Sequence, residues 1–108
     1  MATEYKVTVL SIALHDMERI VSYIAGELAS PIAADNLAIK LSEGIEPLSS
    51  YPYRCPLYVP PRPLRHEFRK LRIDRYLVLF WASEEDETVT VARVLYAKRD
   101  LPNLLEQA

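Results

Sequence analysis

The chain is poor in the residues that staple or metallate a fold. Its single cysteine, Cys55, excludes an internal disulfide, and with only His15 and His66 beside it no spaced ligand set for zinc exists. No metal or other cofactor is therefore expected. Long hydrophobic runs are also missing: the longest uncharged apolar stretch, residues 76 to 82, falls far short of the roughly 20 residues that span a bilayer. The N-terminal residues carry no basic-then-apolar signal pattern, so a cytoplasmic chain with no membrane partner is expected. Repeats and low-complexity tracts are absent. What remains is 108 residues, half of them apolar and 26% charged, which suits one globular domain spanning residues 1 to 108.

The formal net charge of −2 conceals three blocks of different sign. Lys and Arg stand against Asp and Glu as 3 to 7 in residues 1 to 50, as 7 to 2 in residues 51 to 76, and as 3 to 6 in residues 77 to 108, giving −4, +5 and −3. A net-acidic chain does not coat itself with polyanions. An anionic partner must be held locally, around Arg62, Arg65, Arg69, Lys70, Arg72 and Arg75.

Residues 5 to 10 alternate polar and apolar and predict a first strand. Ser11 is read as an N-cap. Leu14, Met17, Ile20, Val21, Ile24 and Leu28 then recur at helical spacing, with Asp16 and Glu18 placed to suit the helix dipole, and the helix is expected to end near Ser30. Ser30-Pro31 restarts a second helix carrying Leu37, Leu41, Ile45 and Leu48, which Pro47 kinks or ends. Five prolines between residues 52 and 63 forbid a helix or central strand there. Three strands follow, at about 65 to 73, 75 to 82 and 88 to 96, with Glu84 to Glu87 as a solvated turn between the last two. The middle strand is apolar on both alternating faces and is expected at the centre of the sheet. A short helical turn or tail closes the chain. The predicted fold is α+β in the order β-α-α-β-β-β, a helical hairpin packed on a mainly antiparallel sheet.

The stretches HDMERIVSYIA, SPIAADNLAIKLSEGIEPLSSYP and, above all, RKLRIDRYLVLFWASEEDETVTVARVLYAKRDL resemble the RelE/ParE toxins of type II toxin–antitoxin systems, in order and spacing, almost end to end. The resemblance implies the same fold, a cognate antitoxin in a heteromeric complex, growth arrest and a role in plasmid stabilization. It also implies one of two activities: cleavage of messenger RNA on the ribosome, as in the RelE branch, or action on DNA gyrase, as in the ParE branch. Metal-free RNA cleavage needs groups that take the 2′-hydroxyl proton, stabilise the phosphate and protonate the leaving oxygen. Of the basic residues RelE relatives use, Lys70 and Arg72 in the first meander strand and Arg99 after the last strand match. The central-strand arginine falls on Tyr76, with Arg75 one position off, and the C-terminal tyrosine falls on Leu105. A histidine that other relatives place before a terminal tyrosine is replaced by Leu95, ahead of Tyr96.

Without that imidazole a base must come from lysine, of which only about a few molecules in ten thousand are neutral at pH 7, or from His66. The ribonuclease reading thus rests on Lys70, Arg72 and Arg99 with His66 or Tyr96. The plainer reading of His66, as of His15, is an exposed surface histidine. The same departures fit the ParE branch, whose members carry a tyrosine like Tyr76, an Arg-Val pair like Arg93-Val94 and an end like Lys98-Arg99-Asp100. The favoured expectation is therefore a toxin that binds and inhibits DNA gyrase. Binding candidates are Arg65, Arg69, Lys70, Arg72, Tyr76, Arg93, Tyr96 and Arg99. The alternatives are a ribosome-dependent ribonuclease acting on messenger RNA and an inactive remnant that only binds antitoxin. Arg93 is in phase with Val89, Val91 and Leu95. It predicts a bulge, an ion pair with Asp74 or another acid, or an exposed functional arginine. Tyr5 and Tyr23 are expected in the core, and Trp81 beneath a helix.

Overall fold

The computed structural model describes residues 4–106. Strand β1 (Lys6–Val9) leads into helix α1 (Ser11–Gly26), and α2 (Pro31–Ile45) returns beside it. After a proline-rich crossing come β2 (Arg69–Ile73), β3 (Tyr76–Ser83) and β4 (Thr88–Tyr96), then a short α3 (Leu101–Leu105). The four strands lie in the order β1-β4-β3-β2, with β2, β3 and β4 antiparallel and β1 parallel to β4. The expected α+β order is present, and the apolar strand β3 is one of the two inner strands.

Alternation along β3 divides the core between the two sheet faces. Val78 and Phe80 join Leu37, Leu41, Ile45 and Leu48 of the α2 side, whereas Leu77 and Leu79 join Phe68, Leu95, Leu101 and Leu105 on the opposite face. Each face is thereby sealed, one by the helical hairpin and the other by α3 and the loop before β2. Gly44 lets α2 come close to β2, for a Cβ there would stand 2.6 Å from Cδ1 of Ile73.

Local chemistry moves several expected boundaries. Ser11 is the first residue of α1, and Leu10 holds the cap position. Leu10 donates its N–H to the Val91 carbonyl, so strand pairing persists to the residue before the helix, and a leucine there has no side-chain oxygen with which to cap the first turn. Helix α1 stops at Gly26 and not near Ser30, because Ala29 takes a left-handed φ of 48° and Ser30 N–H turns back to the Ile24 carbonyl. Ser30 does hold the cap position of α2, with Pro31 next, although its hydroxyl makes no cap bond. Pro47 falls in a 3-10 turn, Glu46–Ser49, that ends α2.

Of the apolar stripe expected on α1, Met17, Ile20 and Ile24 pack on the core, but Leu14 and Leu28 are 49% and 56% exposed. Leu14 lies in the first turn of α1, and Leu28 falls beyond its last residue, in the turn that leads to α2. The strand expected from residue 65 starts only at Arg69. Residues 65 to 68 run beside the proline segment, where Tyr58 N–H reaches the Phe68 carbonyl and Lys70 N–H the Pro56 carbonyl. A proline has no N–H to extend such a ladder, and pairing dwindles to the single Leu57–Arg69 bridge.

Candidate functional site

Past Val91, strand β4 outruns β1 and would present an unpaired edge. Helix α1 covers it. Asp16, on the inner flank of that helix, accepts the Val94 N–H at 3.0 Å and receives Nε and Nη2 of Arg93 at 2.7 and 2.9 Å. A buried carboxylate with three donors is satisfied, and Arg93, 12% exposed at its side chain, is neutralised by it. Two of the alternatives for Arg93 are thus realised together. The register slips between Leu79 and Phe80, which face Arg93 and Val91, so Ala92 is the extra residue and Val94 resumes the apolar phase. The ion-pair partner is Asp16. Asp74 instead bonds Lys40 at 3.2 Å, and Asp16 does not act as an exposed complement to the helix dipole.

This seam floors a cleft of about 770 Å³ between α1 and the ends of β3 and β4. Arg19 and Tyr23 line it from α1, Tyr76 and Tyr96 from the sheet, and Arg99 from the segment after β4. Tyr76 and Tyr96 are cross-strand partners packed edge to face, with ring centroids 6.0 Å apart. Burial, and secondarily Tyr96, pushes the Tyr76 hydroxyl above its usual pKa, so it is a neutral hydrogen-bonding group at pH 7 and no base. Among the described residues Arg19 and Arg99 make no ion pair, and they face a single unpaired acid of the lining, Glu27. Guanidinium and tyrosine groups of this kind are able to pair with anions and stack on aromatic rings. It contains no imidazole or lysine to move a proton.

Of the sequence-predicted residues the cleft gathers Tyr76, Arg93, Tyr96 and Arg99. Lys70 and Arg72 line a different hollow, with Cys55, Tyr51 and Arg54. There Arg72 Nε donates to the Asp74 carbonyl, and burial pushes the Cys55 thiol above its usual pKa. His66, Arg65 and Arg69 line a third hollow. Arg69 is tied to the Cys55 carbonyl at 2.7 Å and lies 4.7 Å over the Tyr53 ring. The six cations of the basic block are divided further: Arg62 is paired with Glu106 of the C-terminal segment. Tyr23, expected in the core, is 54% exposed on the cleft wall. Trp81, expected under a helix, borders the second core cluster with its indole face covered by His66.

Sequence reasoning missed Arg19, Tyr23 and the role of Asp16. The signal is present as spacing, since Asp16, Arg19, Tyr23 and Glu27 recur at steps of three and four and form a polar stripe beside the apolar one. Among the described residues no group of three or more His, Cys, Asp or Glu is placed to hold a metal ion, and no helix is long and apolar enough to cross a membrane.

Residues 7–101 match the family described as the ParE toxin of the type II toxin–antitoxin system parDE. The chain belongs to the ParE toxin family. As a ParE toxin it is the toxic component of a type II toxin–antitoxin pair. No curated protein matches it. Among solved structures it is similar to the chromosomal ParDE system of P. aeruginosa at 14% identity and a TM-score of 0.72, covering 90% of this chain and 100% of that one. It is also similar to the archaeal RelE–RelB complex of Pyrococcus horikoshii, at 12% identity and TM-score 0.60 over 89% and 98% of the two chains. The toxin–antitoxin complex RelBE2 of Mycobacterium tuberculosis matches at 22% and 0.53 over 89% and 95%. At these identities the neighbours establish that the ParE chain shares the fold of both branches.

Proposed function

We propose that this ParE toxin arrests growth in the cytoplasm by binding and inhibiting DNA gyrase, without cutting RNA, until a cognate antitoxin neutralises it in a heteromeric complex. The observation that carries the reading is the dispersal of the ribonuclease set. Lys70 and Arg72, His66, and Arg99 with Tyr96 line three separate hollows. Phosphodiester cleavage needs its base, its phosphate clamp and its acid around one phosphorus, within hydrogen-bond reach of the reacting atoms. Where arginine and tyrosine do converge, in the cleft floored by Asp16 and Arg93, they compose a surface of the kind that anchors protein partners: rigid aromatic area beside unneutralised guanidinium groups.

Induction of the toxin without antitoxin tests this. Arrest accompanied by broken or tangled chromosomes, with translated messages intact, is the expected outcome. Messages cut at codon positions would transfer the chain to the ribonuclease reading, and undisturbed growth would make it an antitoxin-binding remnant.

A further inference from the structure

The third hollow, about 420 Å³, is built unlike the other two. The His66 imidazole lies flat on the Trp81 indole, with centroids 3.7 Å apart and planes 4° from parallel. Phe68, buried, meets both rings edge-on at 6.1 and 5.8 Å and fixes the stack from one side. Burial, and then the neighbouring Arg65, holds the His66 pKa below its ordinary value, so the ring is uncharged at pH 7. His66 is half-buried, which leaves part of a clamped heteroaromatic surface open to solvent.

The charges of the lining are mixed, and the mixture is informative. Arg65 is exposed and, among the described residues, makes no ion pair. Glu67 is exposed likewise, and Asp86 accepts a hydrogen bond only from the Ser83 side. A purely anionic ligand would be repelled by two carboxylates as strongly as it is drawn by the cations. A nucleotide is not purely anionic, because its base presents amine donors on one edge and its phosphate stands several ångströms away. Stacked bases held by aromatic planes and read along their hydrogen-bonding edges are the usual mode of single-strand recognition.

We propose that this hollow is a nucleotide-base site, in which a base with an amine edge, guanine best of all, stacks on His66, donates to Glu67 or Asp86 and turns its phosphate to Arg65. The site lies apart from the tyrosine-arginine cleft and does not depend on gyrase being the target. Free nucleotide and single-stranded nucleic acid share this chemistry.

Trp81 is the only tryptophan, so its indole N–H gives one signal in a proton–nitrogen correlation spectrum of the purified chain. Titration with GMP is expected to move that signal saturably, and UMP, which offers the carboxylates no amine, is expected to bind about tenfold more weakly. His66→Ala is expected to weaken GMP about fivefold or more. Arg65→Ala is expected to weaken GMP but not guanosine, which has no phosphate. A signal unmoved by either nucleotide overturns the proposal, as does equal response of the wild-type and His66→Ala chains, or loss of guanosine together with GMP on Arg65→Ala. With the base site established, a short guanine-containing strand that binds more tightly than GMP, and more weakly as salt rises, assigns it to a strand; affinity equal to that of GMP assigns it to the free nucleotide.

Discussion

Asp16 is nearly sealed from solvent yet carries the charge that balances Arg93 and the acceptor that Val94 lacks from β1. Removing one partner of such a pair strands the other, and Asp16→Ala is expected to cost about 3–5 kcal/mol in chemical denaturation. Asp16→Ala with Arg93→Met is expected to recover much of that loss, since an apolar pair leaves no buried charge. An unchanged midpoint for the single variant would show that the pair bears no load. A second residue-scale device links distant ends of the chain. The Tyr5 hydroxyl donates to Glu84 Oε1 at 2.5 Å, which raises the Tyr5 pKa to about 12, while the bonds from Tyr5 and Tyr53 lower that of Glu84. The raised tyrosine adds stability that is whole below pH 10 and disappears as pH climbs toward 12; the depressed carboxylate adds stability present above its ordinary range and lost as pH falls through its folded value. Thermal midpoints measured across pH should therefore drop at both extremes, and Tyr5→Phe should flatten both drops. Neither partnership could be read from the sequence, because 77 and 79 positions separate the partners and nothing local distinguishes these acids from solvated ones.

At the scale of elements, periodicity spoke most clearly where one face is buried against something large. The α2 stripe and the two-faced apolar pattern of β3 are where they were expected, since packing enforces them. The ends of α1 and the start of β2 are not, because strand pairing at Leu10, a left-handed Ala29 and the missing proline N–H groups decide them one bond at a time. Close packing at Gly44 gives an element-scale prediction: Gly44→Val drives a branched side chain toward Ile73 and is expected to destabilise by about 1–3 kcal/mol. The α3 segment offers another. Leu105 is fully buried in the second cluster, so Leu105→Ala is expected to cost about 2–5 kcal/mol and to raise amide exchange across α3. Slow exchange there in the variant would mean that the Arg62–Glu106 pair, not Leu105, holds the segment.

For the whole molecule, the fold and its family follow from the order of elements and the block from Arg69 to Leu101, but the grouping of its cations does not. A basic run in sequence is a basic patch in space only if its residues share a face. Here β2 alternates sides, the proline segment carries Arg62 to the C-terminal segment, and the block is parcelled among separate hollows. The cleft is assembled instead from a polar stripe of α1 and the far ends of β3 and β4. The most direct measurement is DNA supercoiling by purified gyrase in the presence of the toxin, run beside a translation reaction programmed with labelled message. Supercoiling should fail while the message stays whole, and Arg19→Ala with Arg99→Ala should raise the toxin concentration needed by about tenfold or more without lowering its thermal midpoint. Normal supercoiling together with a fragmented message would contradict the account.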